Sequence, residues 1–418
     1  MSISGIKGMN DILPDAVATW QFLERGAREI FGVFGFSEIR TPVVEKTELF
    51  CRSIGETTDI VEKEMYTFED KGGHLLTLRP EGTAPVMRSL IQHRLANLDP
   101  VTKLYYLGPM FRYERPQKGR YRQFHQLGAE VIGVEDPKID AQVLLMLYRY
   151  FAHVGIAGVS LEINSLGCPA CRPDYRHQLL QFLEQRLDLL CGECQRRYKT
   201  NPLRVLDCKV EHCRTATAEA PAVIEHLCPA CEGHFGQVRH YLDLLEVPYS
   251  VNPRMVRGLD YYVRTTFELV TDQLGSQNAV AAGGRYDGLI QSLGGPALPG
   301  IGFAIGLERL VLMLADRQQE TDGPQLFIAA LGDVAAERAF VLMSRLQAQG
   351  LRAEMDYQGK SLKAQMRRAD KLGAAHVLIL GEDEIRSGQA QLKSMADGSQ
   401  VAVALDNLPS LLRTCRGS

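Results

Sequence analysis

The chain has 418 residues, of which 45% are hydrophobic and 23% charged, and its formal net charge is −3. This composition excludes a disordered or fibrous protein, and the length predicts two or three domains, because single cores rarely grow so large. No stretch is apolar for long enough to cross a bilayer or to act as a secretion signal, so we expect a cytoplasmic protein with no membrane partner. Since the net charge is small, any contact with nucleic acid must come from local basic patches.

The first segments predict a helix and then a strand. Apolar residues recur at helical spacing over residues 16–31, and residues 35–45 form a strand-like run that is interrupted by Pro42. Proline lacks a backbone N–H, so it belongs on an edge strand or at a chain crossing.

A strand, a turn and a helix are predicted between residues 76 and 95. The turn presents Glu81 and Thr83 at the start of the helix, which we place at 84–95. Two interpretations of Glu81 stay open. Its carboxylate either stabilises the positive end of the helix dipole or binds the ammonium group of a ligand.

The most informative stretch is a basic hairpin predicted between residues 104 and 132. Two apolar, aromatic runs flank a turn with Pro116 and Gly119, a pattern typical of antiparallel strands. The turn region carries one acid, Glu114, and five cations, which are Arg112, Arg115, Lys118, Arg120 and Arg122. So many cations indicate an anionic ligand, and we favour a polyphosphate over the alternative of a solvated basic loop.

Strand alternation makes a finer prediction for this hairpin. Arg112 and Glu114 should share one face, and Phe124, Gln126 and Gly128 should share a face of the return strand. An arginine fixed on a strand can bind phosphate oxygens in a bidentate way, and Phe124 could stack on a base.

The order Phe111-Arg-x-Glu114, basic turn, Arg120-x-x-x-Phe124 resembles the second signature motif of class II aminoacyl-tRNA synthetases, and its longer form is similar to that of the histidyl-tRNA synthetases. The resemblance implies an α+β fold: a catalytic domain built on an antiparallel sheet, a small Cys-rich insertion and a C-terminal α/β anticodon-binding domain. It also implies that residues 16–45 are the first signature motif, which lies at the interface of a homodimer.

Eight of the ten cysteines lie in one short region, which favours metal binding over disulfides. They form four pairs: Cys168 with Cys171, Cys191 with Cys194, Cys208 with Cys213, and Cys228 with Cys231. The spacing is typical of zinc-binding loops, so we predict one or two structural Zn²⁺ ions, with reduced, half-buried thiols as the alternative. Consecutive and crossed combinations of the pairs both stay open, and residues 173–190 between the first two pairs predict a helix.

Two glycine-flanked clusters, residues 257–262 and 283–287, indicate backbone that approaches a ligand closely, and they resemble the two histidine-specific motifs of the family. Residues 300–310 predict a strand that enters a helix bearing Arg309. This stretch is similar to the third class II motif, whereas its glycine spacing does not match a dinucleotide-binding fingerprint.

The polar run 316–322 with Gly323 and Pro324 predicts a linker, after which strands and helices alternate in an open α/β domain over residues 325–418. Its order is similar to that of the anticodon-binding domain of the class. Four cations at helical spacing form either a solvated face or a contact for an RNA backbone: Lys360, Lys363, Arg367 and Lys371. The expected division is a catalytic domain at 1–165 and 241–320, an insertion at 166–240 and this C-terminal domain.

The resemblance implies an enzyme that activates L-histidine with ATP and Mg²⁺ and transfers it to tRNA(His). The two catalytic cations would be Arg112 and Arg257. The histidine site would comprise Glu81, Gly82, Thr83, Gln126, Glu130, Arg257, Tyr261, Tyr262 and Tyr286. The ATP site would comprise Arg112, Glu114, Arg120, Phe124 and Arg309.

Two other functions compete with this one. The regulatory subunit of ATP phosphoribosyltransferase shares the catalytic fold and binds histidine as a signal, but it usually lacks the anticodon-binding domain and loses motif arginines. Here Arg112, Arg257 and Arg309 are present together with residues 325–418, which favours the enzyme. A zinc-containing RNA-binding protein would leave the arginine and glycine motifs unexplained.

Overall fold

The computed structural model describes residues 3–55, 58–275, 278–315 and 323–414. The chain divides into two compact units, residues 1–317 and 318–418. Most of the predicted linker, residues 316–322, lies outside the described part. Among the described helices, none is both long and apolar enough to cross a membrane.

The first unit contains eleven strands within its described residues. They are β1 (Ser37–Glu38), β2 (Val44–Lys46), β3 (Tyr66–Glu69), β4 (Leu75–Leu78), β5 (Thr102–Phe111), β6 (Gln123–Ile132), β7 (Ser160–Ser165), β8 (Ser250–Val251), β9 (Val263–Val270), β10 (Ala279–Arg285) and β11 (Gly300–Gly306).

The same unit contains ten α-helices within its described residues. They are α1 (Pro14–Val33), α2 (Thr47–Ile54), α3 (Thr83–His93), α4 (Pro137–His153), α5 (Arg172–Glu184), α6 (Gly192–Thr200), α7 (Glu211–Ala216), α8 (Pro229–Leu244), α9 (Leu289–Ser292) and α10 (Leu307–Met313). Short 3₁₀ segments occur at Leu95–Asn97, Leu187–Leu189, Pro202–Val205, Val223–His226 and Asp272–Leu274, and Ile60–Glu64 forms a turn of π-helix.

The centre of this unit is an eight-stranded sheet in the order β1-β5-β6-β11-β10-β9-β7-β8. The six inner strands pair antiparallel with one another, and the two edge strands, β1 and β8, pair in parallel with β5 and β7. The predicted antiparallel catalytic sheet is therefore confirmed. So is the basic hairpin, because β5 and β6 pair from Thr102 opposite Ile132 to Phe111 opposite Gln123.

The two faces of the sheet have different roles. Helices α1, α4 and α8 cover one face, where β6 contributes Leu127, Ala129 and Val131 to the main hydrophobic core. Because successive residues of a strand point to opposite faces, Gln126 and Glu130 point away from that core. Helices α3 and α9 cover part of this second face and leave the rest open to a cavity.

The strand predicted over residues 35–45 is in fact two short strands in different sheets. Strand β1 pairs with β5 in the large sheet, and β2 pairs with β4 in a separate three-stranded sheet of order β2-β4-β3. Pro42 lies between them, where the chain crosses from one sheet to the other and no ladder N–H is needed. The prediction of an edge or crossing position for the proline holds, but the prediction of one strand is wrong.

The Cys-rich region is a small helical insertion between β7 and β8. It has its own apolar cluster, built from Tyr175, Leu179 and Leu183 of α5 with Leu190 and Val205. The helix predicted over 173–190 ends at Glu184, because the chain turns there before the 3₁₀ segment at Leu187–Leu189.

The second unit is an α/β domain with a mixed sheet. Its elements are β12 (Leu326–Ala330), α11 (Asp333–Ala348), β13 (Ala353–Met355), α12 (Leu362–Lys371), β14 (His376–Leu380), α13 (Glu382–Ser387), β15 (Gln389–Ser394), β16 (Gln400–Ala404), a 3₁₀ segment (Leu405–Asn407) and α14 (Leu408–Thr414). The sheet order is β13-β12-β14-β15-β16, with the first three strands parallel and the last two antiparallel. The predicted alternation of strands and helices up to residue 380 is confirmed.

Candidate functional site

A cavity of about 660 Å³ lies on the open face of the large sheet. Its walls come from the start of α3, the β5–β6 hairpin, the loop before β9, strands β10 and β11, the start of α10 and one edge of the insertion. Eleven of the residues predicted for the histidine and ATP sites line it: Glu81, Thr83, Arg112, Glu114, Arg120, Phe124, Gln126, Arg257, Tyr261, Tyr262 and Arg309. Residues scattered over more than 200 positions of sequence are therefore brought to one place.

Two glycines at the bottom of this site leave room for larger side chains to pack against the backbone. A Cβ atom on Gly302 of β11 would collide with the carboxylate of Glu130, and one on Gly128 would collide with the ring of Tyr106. These two glycines therefore allow a carboxylate and a phenol to lie flat beneath the cavity. No other residue type would fit without displacing them.

Three arginines from separate elements reach the cavity. Arg112 donates from Nε to the carbonyl of Pro80 at 2.9 Å, and its guanidinium lies 5.3 Å from the ring centroid of Phe124. Arg257 forms an ion pair with Glu268 of β9, and Arg309 of α10 donates to the carbonyl of Ala279. Burial lowers the pKa of Arg112 and Arg309, so an anion that entered the cavity would find cations with little water to screen them.

The predicted face shared by Arg112 and Glu114 is not a strand face. Strand β5 ends at Phe111, so both residues lie in the turn, where Glu114 forms an ion pair with Arg120. The strand prediction was wrong because the regular pairing of β5 with β6 ends at Phe111, although the N–H of Arg112 still donates to the carbonyl of Arg122 at 2.9 Å. The second part of that prediction is confirmed, since Phe124 and Gln126 of β6 both line the cavity.

Of the five hairpin cations, Arg112 and Arg120 line the cavity. Arg122 instead lies 4.0 Å from the ring centroid of Tyr113 and donates from Nε to the carbonyl of Glu114. The positive charge of the turn is thus partly compensated by aromatic and acidic groups of the turn itself. It does not present all five charges to one ligand.

Glu81 closes the start of α3. Its two carboxylate oxygens accept hydrogen bonds from the backbone N–H groups of Thr83 at 2.7 Å and Ala84 at 2.8 Å, which is the arrangement expected of a carboxylate at a helix N-terminus. Burial raises the pKa of Glu81. Since Glu81 also lines the cavity, the helix-dipole interpretation and the ligand interpretation are compatible.

Glu130 and Tyr286 lie below the cavity and do not line it. The hydroxyl of Tyr286 donates to one oxygen of Glu130 at 2.5 Å, and the hydroxyl of Thr83 donates to the other at 2.7 Å. Burial raises the pKa of Glu130 to about 8, against the lowering effect of these two hydrogen bonds. Gly82 also lies outside the lining, with its backbone packed on the Tyr106 ring. A direct contact of these three residues with histidine stays a prediction.

Gln126 and two tyrosines form the part of the wall between Glu81 and Arg257. The Oε1 atom of Gln126 is buried and has no hydrogen-bond partner among the described residues, and buried amides rarely stay unpaired. The rings of Tyr261 and Tyr262 lie 4.6 Å apart, and the Arg257 guanidinium lies 5.5 Å from the Tyr262 centroid. The wall therefore offers an unused polar group beside an aromatic, cationic surface.

Several lining residues were not predicted from the sequence. Glu268 and Glu308 line the cavity, and Glu308 also accepts a hydrogen bond from the backbone N–H of His125 at 2.8 Å. A signal for Glu268 does exist, because it is an acid between Phe267 and Leu269, both of which are in the core. Other unpredicted lining residues come from the insertion: Glu193, Arg197, Arg204, Asp207, Lys209 and Val210. Cys191 and Cys208, which were predicted as zinc ligands, also line the cavity.

One residue of the motif at 283–287, Arg285, has a structural role. Arg285 is fully buried and forms ion pairs with Asp140 of α4 at 2.5 Å and with Asp287 at 3.0 Å, and it donates to the carbonyl of Val134. It does not line the cavity. The arginine of this motif therefore joins the sheet to α4, whereas its neighbour Tyr286 supports Glu130.

The eight cysteines of the insertion form two groups of four. Cys168, Cys171, Cys228 and Cys231 make one group, and Cys191, Cys194, Cys208 and Cys213 make the other. All eight are free thiols. The combination is nested: the first pair joins the last, and the second joins the third. It is neither the consecutive nor the crossed combination, because the spacing gives the pairs while only the fold decides which pairs face each other.

Comparison with known proteins gives consistent results over the whole chain. Residues 8–310 match the family model described as histidyl-tRNA synthetase, and residues 325–414 match an anticodon binding domain. The chain is 68% identical over 419 residues to the histidine–tRNA ligase of Syntrophotalea carbinolica, with 100% of both chains covered. It is 63% identical to that of Geobacter metallireducens, over 97% of this chain and 98% of the relative.

A solved structure agrees with these relatives. The crystal structure of apo S. aureus histidyl-tRNA synthetase superposes with a TM-score of 0.83 at 38% identity, and the match covers 99% of this chain and 100% of that chain. The similarity therefore includes the catalytic sheet, the insertion and the C-terminal domain.

Proposed function

Since this chain belongs to the histidyl-tRNA synthetase family, a class II aminoacyl-tRNA synthetase family, we propose how its residues activate histidine with ATP and transfer it to tRNA. In the first step the histidine carboxylate attacks the α-phosphorus of ATP and pyrophosphate leaves. In the second step the histidyl group passes to the terminal ribose of the tRNA. The histidine-sensing regulatory subunit is not favoured, because the curated relatives at 61–68% identity are ligases over nearly the full chain.

The first step brings two anions together, so it needs cations placed where charge develops. We assign this role to Arg112 and Arg257, which reach the cavity from the hairpin turn and from the loop before β9. Arg112 would bind the α-phosphate from one side and Arg257 from the other. No nucleophilic side chain is required, because the substrate carboxylate is the nucleophile.

The nucleotide would lie along the hairpin. Phe124 would stack on one side of the adenine, and Arg309 would pack on the other. Arg120 and Glu114 form an ion pair with each other. When the nucleotide binds, they would give up part of this contact and bind the phosphates and the base instead. ATP enters as its Mg²⁺ complex, and Mg²⁺ keeps most of its contacts with phosphate oxygens and water.

The amino acid would occupy the end of the cavity near α3. Glu81 and Thr83 would hold the ammonium group beside the Gly82 backbone, and the amide NH₂ group of Gln126 would donate to the carboxylate. A pocket that reads both imidazole nitrogens must use polar groups, because shape alone discriminates weakly. Tyr262 would bind one nitrogen and Glu130 the other, with Tyr261 as a wall.

Support for Glu130 in this role comes from what holds it. Tyr286 and Thr83 donate to its two oxygens and fix the carboxyl group directly under the cavity. An imidazole would reach it if the Thr83 hydroxyl turned toward the substrate ammonium.

Further proposals concern the partners. The basic face Lys360, Lys363, Arg367 and Lys371 would contact the backbone of tRNA(His). Residues 16–45 would form the interface of a cytoplasmic homodimer, which rests on their resemblance to the first class II motif. The eight clustered cysteines would be ligands of structural Zn²⁺.

The observation that carries the catalytic proposal is the convergence of Arg112, Arg257 and Arg309 on one cavity. It is tested by histidine-dependent exchange of labelled pyrophosphate into ATP, with the wild type beside Arg257→Ala and the surface control Arg386→Ala. Exchange should fall by about 100-fold or more in Arg257→Ala and stay unchanged in the control. A folded wild type that binds histidine without exchange would support the regulatory function instead.

A further inference from the structure

The sulfur atoms of each cysteine group in the insertion are spaced as they are around a tetrahedral metal ion. All four sulfur atoms of each group lie within 4.8 Å of one another. The Sγ–Sγ distance is 3.7 Å for Cys168 and Cys171, 4.0 Å for Cys168 and Cys228, and 4.0 Å for Cys191 and Cys208. In a zinc tetrahedron with bonds of about 2.3 Å, the sulfurs lie about 3.8 Å apart.

Backbone groups support the same conclusion. The N–H of Cys228 donates to the sulfur of Cys171, and the N–H of Cys191 donates to that of Cys213, both at 3.1 Å. Such bonds orient the sulfur atoms toward the centre of each group, as hydrogen bonds to metal ligands do. The same distances argue against disulfides, whose sulfurs are about 2.05 Å apart. They fit a single ion in each group better than a multinuclear cluster, whose thiolates are spread around several metal atoms.

We infer that the insertion holds two mononuclear Zn²⁺ ions with different roles: the outer ion closes the root of the insertion, and the inner ion positions the rim of the active-site cavity. The outer site is defined as Cys168, Cys171, Cys228 and Cys231, and the inner site as Cys191, Cys194, Cys208 and Cys213. The inference deepens the proposed zinc binding, and the role of the inner ion also rests on the proposed histidine activation.

The outer site lies where the chain leaves and re-enters the catalytic core. Cys168 comes three residues after β7, and Cys228 directly precedes α8. Helix α8 packs Phe235, Val238 and Leu242 into the main core. An ion that holds Cys168 and Cys228 together therefore fixes the start of α8 against the end of β7, and its loss should lower the stability of the whole unit.

The inner site lies at the cavity itself. Its ligands Cys191 and Cys208 line the cavity, and the chain between Cys194 and Cys208 carries two arginines that reach the catalytic walls. Arg197 forms an ion pair with Asp59 at 3.0 Å. Arg204 lies 3.7 Å from Asp59 and donates to the carbonyl of Gly258 at 3.3 Å, next to Arg257.

These contacts give the inner ion a positioning role. Without the inner ion, the segment that carries Arg197 and Arg204 would no longer be held at both ends. Gly258 would then lose a hydrogen bond that helps to place Arg257. Small displacements of the Arg257 charge would be costly in catalysis, and Arg204 would act on that charge through its hydrogen bond to Gly258. Arg204 is therefore a positioning residue, not a catalytic one.

The first test is metal content. Protein purified without chelators should contain two equivalents of zinc per chain by mass spectrometry, and so should the control Cys51→Ser, whose cysteine lies outside both groups. Cys194→Ser at the inner site and Cys231→Ser at the outer site should each retain one equivalent. Under half an equivalent in the wild type, or eight thiols that react at once with a thiol reagent, would overturn the zinc sites.

The second test separates the two roles. In pyrophosphate exchange, Cys194→Ser should raise KM or lower kcat by a factor between about 5 and 100, with a melting temperature close to that of the wild type. Cys231→Ser should lower the melting temperature more. An inner-site variant that has one equivalent of zinc and wild-type kinetics would overturn the positioning role.

A further variant covers the case in which the cysteine variants fail to fold. Arg204→Gln leaves all eight cysteines in place, so it should keep two equivalents of zinc and still show the kinetic defect of Cys194→Ser. Wild-type kinetics in Arg204→Gln would contradict the positioning role. Two equivalents of zinc in a wild type without any exchange would refute the proposed activation and leave the metal sites standing.

Discussion

Arg257 and Glu268 form an ion pair on the wall of the active-site cavity, with side chains only 14% and 23% exposed. The cation that we assign to the α-phosphate is therefore held by a carboxylate before any nucleotide enters. Because Glu268 sits on a central strand of the sheet, it fixes the guanidinium in one place. It also offsets part of the charge that would otherwise be unpaired in a poorly hydrated site.

Glu268→Gln should therefore lower kcat for pyrophosphate exchange by about tenfold, because a neutral amide holds the guanidinium less firmly. The KM for ATP should stay the same or fall, since removing an acid makes the cavity more attractive to a polyphosphate. Steady-state exchange kinetics measure both values. The control is Glu382→Gln, which removes the same charge from an exposed pair with Arg386; an equal loss of kcat there would show that the Glu268 effect is unspecific.

Gly302→Ala tests how closely the site is packed. The new Cβ would collide with the Glu130 carboxylate, so the substitution should displace Glu130 and weaken histidine binding by about tenfold or more, and it should lower stability by about 1–3 kcal/mol. Histidine titration by calorimetry and urea unfolding measure the two effects. Gly233→Ala, in a helix with open space around the Cβ position, should be neutral or slightly stabilising.

The buried carboxyl of Glu130 predicts a pH effect on stability. Its pKa is raised to about 8 in the folded protein, so the folded state binds a proton that the unfolded state has lost above its ordinary value of 4.5. The free energy of unfolding should therefore fall as pH rises from about 4.5 to about 8. Glu130→Gln removes this titration.

Urea unfolding of both proteins at several pH values in that window measures the difference between their unfolding free energies. The wild type should lose stability relative to Glu130→Gln as pH rises. Parallel curves would mean that the carboxyl is not protonated when folded.

The pair between Arg285 and Asp140 predicts a large structural effect. Both side chains are fully buried, so Asp140→Ala would remove the buried partner of the Arg285 charge and leave only the partly exposed Asp287 beside it, which should destabilise the protein by about 3–5 kcal/mol. Arg386→Ala, which breaks an exposed ion pair, should cost at most about 1 kcal/mol. Similar urea midpoints for the two variants would contradict the assignment of Arg285 to the core.

Local signals made the hairpin predictable. Two aromatic runs around a turn with proline and glycine specify paired strands, and the class II resemblance places Phe124 and Gln126 in the site. Features that depend on distant chain segments were not predictable in the same way. Spacing identifies Cys191 and Cys194 as a pair but says nothing about which other pair they face, and the burial of Glu130 beneath the cavity depends on Thr83 and Tyr286, which lie far away in sequence.

Part of the sequence pattern also had a different meaning from the one that we expected. Arg112 continues an apparent strand, yet strand β5 ends at Phe111, and the turn that follows has its own ion pair between Glu114 and Arg120. Arg285 belongs to a motif that resembles a histidine-specific motif of the family, yet its charge is paired in the core. A charged residue in a motif does not reveal from sequence which side of the sheet it occupies.

The nested arrangement of the cysteines has a consequence for how the chain assembles during synthesis. The inner site joins residues 17 positions apart, whereas the outer site joins residues 60 positions apart, and shorter loops close at a lower entropic cost. Since all four inner ligands have left the ribosome before Cys228 and Cys231 are made, the inner ion can close its loop before the outer set of ligands is complete. Each closure shortens the path between β7 and β9, neighbours in the central sheet that are separated by the whole insertion. Zinc supply during translation would thus influence how fast the two halves of the catalytic sheet find each other.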